Sequence, residues 1–374
     1  MVCVEALYLQ ETLTYRLRHF LDFQSRASNY ALLFVRYPVK CDLLSPFIHI
    51  LLKYPSSSYP DFNLNQVLQG FCQISHSTLT MQLSVRTALL TAINGLLTIT
   101  SATTIPSISC TRSNTPPMDP GAHSQFFTFE SPSGGGQRRY LLHLPSAYTP
   151  SSPSPLILGF HGKNQSPQTF EAETQLSNPT FNSDSIVVYP AGEQQQWTGD
   201  PAAPPLSKLN DIAMVADLLS HLTATLCVDE ARIHAYGFSN GGGLVDLLAC
   251  DKQISKRIAS FAATSAAVYE DQALGEPLFS RCESRRPPVP FLRFHGTKDP
   301  VIHYDGVSTP DGPTVPVEKR MREWARRNGC EGKGDVTEEL FGGKVQRYKW
   351  SYEVWEDVVQ LYRIEGFGHG EPNA

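Results

Sequence analysis

The sequence predicts an α/β fold, with a mostly parallel central sheet and helices on both faces, and three observations carry that prediction. From Phe126 onward, strand-like and helix-like stretches alternate, the pattern of parallel strands joined by crossover helices. Residues 155–160 and 185–190 are continuous apolar runs, as expected of strands buried on both faces. A third run, 232–238, ends abruptly at Ser239 with Gly237 and Gly241 on either side, and a helical pattern with Leu244, Leu247 and Leu248 on one face follows at once.

Composition sets the frame. The 374 residues are 41% hydrophobic and 18% charged, enough apolar material for a sizeable globular core. A net charge of −5 with no basic stripe argues against nucleic acid as a partner. With 28 prolines and 26 glycines, the chain is rich in connections, where function tends to sit.

Residues 1–80 show no sustained period and no motif. Residues 81–102 then supply a methionine, one basic residue (Arg86), about a dozen apolar positions and small residues at the end, which is the form of a secretory signal peptide. The apolar stretch is too short and threonine-rich to span a membrane. The expectation is that Met81 is the natural start, that residues 1–80 are an upstream extension outside the fold, and that the protein is secreted and extracellular. Residues 103–121, rich in Ser, Thr and Pro, read as a linker or leading arm, and 122–374 as the catalytic body. Cys110, Cys227, Cys250, Cys282 and Cys330 follow the signal-like segment; their spacing matches no zinc site, and disulfides in an oxidising compartment are expected. Five thiols allow at most two bridges, with Cys250 and Cys282 a candidate pair and the connectivity otherwise open. Asn164-Gln165-Ser166 is a glycosylation sequon disfavoured by Pro167.

Within the body, 137–145, 155–160 and 185–190 read as the first strands. Asn210 caps a helix over 211–226 whose apolar face is Ile212, Val215, Leu219, Leu222 and Leu226. Strands are expected at 260–268, 289–294, 346–350 and 358–364. Val317, Met321 and Trp324 mark a helix between Pro316 and Gly329.

The chemistry gathers on three side chains. Gly-x-Ser-x-Gly at a strand-to-helix junction is a nucleophile elbow, where glycines let strand and helix pass closely and the serine hydroxyl projects above the sheet, as in α/β-hydrolases. A serine needs a base, histidine suits the task near neutral pH, and a buried carboxylate fixes the imidazole tautomer. Ser239, Asp299 after the 289–294 strand, and His369 after the last strand occur in the order serine, acid, histidine. His295 and His303 stand too near Asp299 and read as structural or loop residues; His221 and His234 lie in periodic elements; Asp305 and Asp357 are possible for the acid, but only Asp299 closely follows a buried strand. His161-Gly162-Lys163, at the end of the 155–160 run, can aim a backbone N–H of Gly162 or Lys163 into the site, with that of Asn240 as the other half of an oxyanion hole. Trp197 and His161 are candidates for lining the substrate site, although an aromatic residue in a proline-rich loop more often packs that loop. No metal or organic cofactor is required.

Several stretches together resemble the secreted fungal feruloyl esterases related to polyhydroxybutyrate depolymerases: Gly237-Phe238-Ser239-Asn240-Gly241-Gly242, Leu248-Ala249-Cys250-Asp251, Phe294-His295-Gly296-Thr297-Lys298-Asp299, Trp324-Ala325-Arg326-Arg327-Asn328-Gly329-Cys330 and Gly366-Phe367-Gly368-His369. The resemblance spans about residues 121–370. It implies an α/β-hydrolase cleaving ferulate esters of plant cell-wall polysaccharide such as feruloylated arabinoxylan, acting as a monomer, with the triad on Ser239, Asp299 and His369. An acetyl-xylan esterase or polyester depolymerase with the same triad, and an inactive carbohydrate-binding protein, are the alternatives. Two departures stand out. The family has paired acids where this chain has Asn210-Asp211, and it continues past its histidine into a closing helix where this chain reaches Ala374.

Overall fold

The structure is a computed structural model that describes residues 104–111, 115–269, 282, 288–306, 308–309, 312–330, 336–352 and 355–372. The expectations for 1–80 and 81–102 lie outside the described residues.

The apolar runs form a ten-stranded sheet. The chain order is β1 (Gln125–Ser131), β2 (Gly136–His143), β3 (Ser154–Phe160), α1 (Pro167–Thr174), β4 (Ile186–Pro190), α2 (Asp211–Thr225), β5 (Val228–Phe238), α3 (Asn240–Cys250), β6 (Ser260–Thr264) and β7 (Phe291–Gly296). A two-stranded ribbon follows, β8 (Ser308–Thr309) and β9 (Gly312–Pro313), then α4 (Val317–Arg327), β10 (Val336–Leu340), β11 (Val345–Tyr352) and β12 (Trp355–Ile364). Across the sheet the order is β1-β2-β4-β3-β5-β6-β7-β12-β11-β10. The six strands from β4 to β12 run parallel, and an antiparallel pair flanks them on each side. This is an α/β-hydrolase fold, with every residue of β3 and β4 buried as their unbroken apolar runs require.

Side-chain alternation sends the two halves of each strand to different cores. Leu156 and Leu158 of β3 and Ile233 and Ala235 of β5 join the core under α2, α3 and α4, whereas Ile157, Tyr236 and Phe238 pack on the opposite face with Phe170 of α1. Asn210 caps α2, its side chain accepting the Ala213 N–H at 3.0 Å. The helix buries Met214, Val215, Leu218, Leu219 and Leu222, so its apolar face is rotated slightly from the expected one. In α4, Arg320 and Asp246 of α3 form a fully buried ion pair, held also by the Trp324 indole N–H.

Strand β10 and the β8–β9 ribbon were not expected, and three further segments differ from expectation. Helix α1 was not anticipated, because its eight residues are too few to display a period, although Ser166 and Pro167 supply a cap and an N1 proline at its start. Strand β6 stops at Thr264, where Ser265 turns to positive φ (47°). The Ser/Thr/Pro-rich stretch is not a free linker: Ile105 N–H donates to Asp229, Ser107 exchanges hydrogen bonds with Val228, and Cys110 is bonded to Cys227. The body therefore begins near residue 105. The second bridge joins Cys250 to Cys282, and Cys330 is the free cysteine among the described residues.

The Cys110–Cys227 bridge closes a loop of 117 residues, and the cost of removing a native bridge is typically about 2–5 kcal/mol. A Cys110→Ala/Cys227→Ala double variant is expected to lose about that much stability, read as a lower denaturant midpoint; a midpoint equal to that of the parent would show that the arm adds nothing.

Candidate active site

Strand β5 delivers Ser239 and helix α3 leaves it, with no residue between. The turn holds Ser239 at φ 51° and ψ −117°, a conformation L-residues rarely adopt. Its backbone is tied on each side: N–H to the Thr264 carbonyl (3.0 Å), and C=O to the N–H groups of Ala267 (2.8 Å) and Gly243 (3.0 Å). Two glycines make the turn possible. A Cβ on Gly241 would stand 2.1 Å from the Phe160 carbonyl oxygen, and one on Gly237 would stand 2.4 Å from that of Gly241. Neither obstacle is a side chain that could swing away.

The loop after β7 carries Asp299 and the loop after β12 carries His369. The two loops are stitched together: Lys298 N–H donates to the Phe367 carbonyl (3.0 Å), Gly366 N–H to the Thr297 hydroxyl (2.9 Å), and Thr297 N–H to the Ile364 carbonyl (2.9 Å). His369 Nδ1 lies 2.8 Å from Asp299 Oδ2, and its Nε2 lies 3.0 Å from Ser239 Oγ. A carboxylate only accepts, so Nδ1 carries the proton and Nε2 is left to accept from the serine. Asp299 Oδ1 accepts the N–H groups of Val301 (2.9 Å) and Ile302 (2.8 Å). Burial raises the affinity of Asp299 for a proton, but hydrogen bonds from His295 and His369, the nearby His369 ring and the Ile302 N–H outweigh it and hold the carboxyl well below the usual range. The three side chains that the sequence singles out thus form one hydrogen-bonded line at the carboxyl ends of β5, β7 and β12.

The other expected site residues divide. Asn240 opens α3, so its N–H is one of the unpaired donors of a helix N-terminus. Gly162 is removed from the oxyanion role, because its N–H already donates to the Gln165 side chain at 2.8 Å. Lys163 is left as the candidate of the two; its ammonium reaches Asp200, 3.1 Å distant. Trp197 and His161 do not line the substrate site, since they are 0% and 1% exposed. The Trp197 indole N–H donates to the His161 carbonyl (2.8 Å), and its backbone N–H donates to the Asn240 side chain (2.7 Å). His161 Nε2 accepts the Gly192 N–H (3.0 Å), so Nδ1 donates to the Gly162 carbonyl (2.7 Å). Burial lowers the pKa of this ring, against the Gly162 hydrogen bond and Asp211. Both residues brace the loop from below. Asp211, the acid that departs from a pair, is buried between Arg138 (2.8 Å) and Thr198 (2.7 Å).

Sequence reasoning passed over Gln165 and Glu371. Gln165 sits in an unpatterned loop and carried no signal. Glu371 lies two residues beyond His369; the Tyr236 hydroxyl, on the elbow strand, donates to its Oε2, so the histidine loop is tied down on its far side as well. No group of three or more His, Cys, Asp or Glu among the described residues is arranged to hold a metal.

No protein-family model matches the chain. Feruloyl esterase B of Piromyces equi is 28% identical over 243 residues, 63% of this chain and 43% of that protein. Probable feruloyl esterase C of Aspergillus flavus is 28% identical over 253 residues, 66% of this chain and 78% of the relative. Feruloyl esterase C of Emericella nidulans is 32% identical over 206 residues, 52% of this chain and 63% of the relative. The chain is similar to fungal feruloyl esterases over about half to two thirds of its length. It spans less than half the length of the Piromyces protein and under two thirds of the Emericella one. Among solved structures, an acetyl xylan esterase from Aspergillus awamori has a TM-score of 0.48 at 14% identity, over 67% of this chain and 95% of that one.

Two outcomes follow from this geometry. Gly241→Ala drives a methyl group into backbone, and the expected cost is about 3 kcal/mol or more, at the upper end of overpacking, with loss of soluble folded protein; a folded variant with parental stability would contradict the close approach. Burial, aided by Glu173 and opposed by the Tyr236 hydrogen bond, pushes the Glu371 carboxyl up to about 7. A raised carboxyl stabilises below its ordinary value of about 4.3 and loses that contribution as pH rises through the folded value. Thermal stability of the parent should therefore decline between pH 4.3 and 7, and Glu371→Gln should remove that part of the decline.

Proposed function

We propose that the chain is a secreted serine esterase that hydrolyses feruloyl esters of plant cell-wall polysaccharide through an acyl-enzyme on Ser239. The observation that carries this reading is the unbroken line Asp299–His369–Ser239 at an elbow turn. The names of its relatives supply the acyl group. The two disulfides among the described residues support an oxidising compartment, and no helix among those residues is long and apolar enough to cross a membrane.

The steps follow from the donors and acceptors present. Ser239 Oγ attacks the ester carbonyl as its proton passes to His369 Nε2, and ionised Asp299 stabilises the imidazolium through Nδ1–H. The oxyanion forms against the backbone N–H groups of Asn240 and Lys163, one at a helix N-terminus and the other at the end of β3. His369 returns the proton to the departing sugar oxygen. Water then attacks the acyl-enzyme by the same path in reverse, releasing ferulate.

The full chain is expected to hydrolyse methyl ferulate faster than a short acetyl ester, and a fluorophosphonate is expected to label Ser239. Ser239→Ala should lower kcat by about 10⁴-fold or more and abolish labelling. A preference for the acetyl ester would move the acyl specificity, whereas folded protein that is neither labelled nor active would favour a binding protein.

A further inference from the structure

His295 is buried at the end of β7, 1% exposed, and the steps above leave it idle. Its surroundings are unusually decisive about its protons. Arg293, two residues earlier on the same face of β7, is also 1% exposed; its Nη2 donates to the Ala266 carbonyl at 2.8 Å and stands 3.4 Å from His295 Nδ1. A guanidinium can only donate, so Nδ1 faces a donor and carries no proton. On the other side, Nε2 lies 2.7 Å from the Ile302 carbonyl, which can only accept. Both neighbours select the same neutral tautomer, with the proton on Nε2. Nε2 also lies 3.4 Å from Asp299 Oδ2, the oxygen that accepts from His369. Burial lowers the pKa of His295 and the Arg293 charge lowers it further, against the pull of Asp299 and Ile302, so the ring stays neutral near neutral pH.

We propose that His295 is a positioning residue for the acid: a neutral imidazole, locked by Arg293 and the Ile302 carbonyl, that presents Nε2–H to Asp299 Oδ2 and holds this oxygen in line with His369. The inference rests on the proposed triad. Asp299 then has its two oxygens fixed from three directions: by the Val301 and Ile302 N–H groups on Oδ1, by His369 on Oδ2, and by His295 alongside. The same Nε2–H pins the 299–302 turn to the strand that carries it, through the Ile302 carbonyl. A rotation of the carboxylate would break the His369 bond and leave two buried donors unmet, which makes the orientation single-valued. His295 touches no reacting atom, so its effect reaches the serine only through Asp299 and His369.

The test uses the full chain with ferulate ester turnover and ¹⁵N-histidine spectra. Glutamine carries an acceptor and a donor that can meet Arg293 and Ile302, whereas leucine fills the space with neither. His295→Leu is expected to lower kcat by about 10–100-fold, the scale found when a hydrogen-bond partner behind a metal ligand is removed, with KM within about twofold. His295→Gln should recover most of that loss. Parental kcat in the leucine variant, or equal losses in both, would overturn the proposal. If the leucine variant does not fold, the parent protein decides alone: an unprotonated Nδ1 and a protonated Nε2 on His295, unchanged while activity varies with pH, are expected, and a protonated Nδ1 would overturn it. His369→Ala separates the two levels, since activity surviving that change would sink the triad, whereas its loss alongside an unimpaired His295→Leu would sink only the role of His295.

Discussion

The site depends on a contact between backbones. Gly241, in the first turn of α3, lies against the carbonyls of Phe160 and His161 at the end of β3, with no room for even a methyl group between them. That contact joins the two halves of the proposed oxyanion hole, because Asn240 precedes Gly241 and Lys163 follows His161. It also lifts Ser239 clear of the sheet, since the strand must turn sharply to let the helix pass so near. Spacing between nucleophile and oxyanion donors is therefore set by van der Waals contact of main chains, which varies less than any side-chain arrangement.

Three histidines of the body show how partners rather than residue type decide a role. His161 meets a backbone N–H on Nε2 and a carbonyl on Nδ1; His295 meets a guanidinium on Nδ1 and a carbonyl on Nε2. Both have each nitrogen committed to a group that never exchanges its proton, and both are 1% exposed. His369 alone of the three has a nitrogen facing a hydroxyl, with the other held by an acid, and its side chain is 16% exposed. A proton can be taken and returned only there. Burying the other two also explains why placing His161 in the substrate site fails: its position after a buried strand is under the loop, not in it.

The sheet was readable because its central strands are apolar on both faces, a pattern that helices of this length do not mimic. The elbow was readable because steric exclusion writes glycine at fixed offsets from the serine. Asp299 and His369 were readable from order and from the strands before them. Trp197 was misplaced because an aromatic residue in a proline-rich loop looks the same from sequence whether it lines a pocket or seals the floor beneath one. Gly162 and Lys163 could not be told apart until the Gln165 side chain was seen to occupy one N–H. Composition left the choice between linker and leading arm open for a different reason: Ser, Thr and Pro mark a linker, yet Ser107 and Ser109 are buried here, with their hydroxyls donated to the Leu226 carbonyl. Alternation along β7 does place Arg293 and His295 on one face, but nothing in a linear pattern says that both point toward Asp299.

Holding Ser239 in a sparsely populated conformation costs of order 1–3 kcal/mol, and such strain persists only where the surroundings over-determine it. Strand β5, the elbow and α3 act as one lever, and both ends of that lever are covalently fixed. Cys227 stands just before β5 and is bonded to the arm; Cys250 closes α3 and is bonded to Cys282. Between these anchors the serine is held by Thr264, Ala267 and Gly243, and just past β6 Ser265 takes up positive φ as well, its N–H bonded to the Phe294 carbonyl. The elbow could relax only if β5 slid along its neighbours or α3 tilted away from β3. The first movement pulls on the arm and the second on the 282 segment, so both bridges oppose the motions that would release the strain. Their placement at the two ends of this unit, rather than elsewhere in a large core, ties the two disulfides to the geometry of the nucleophile.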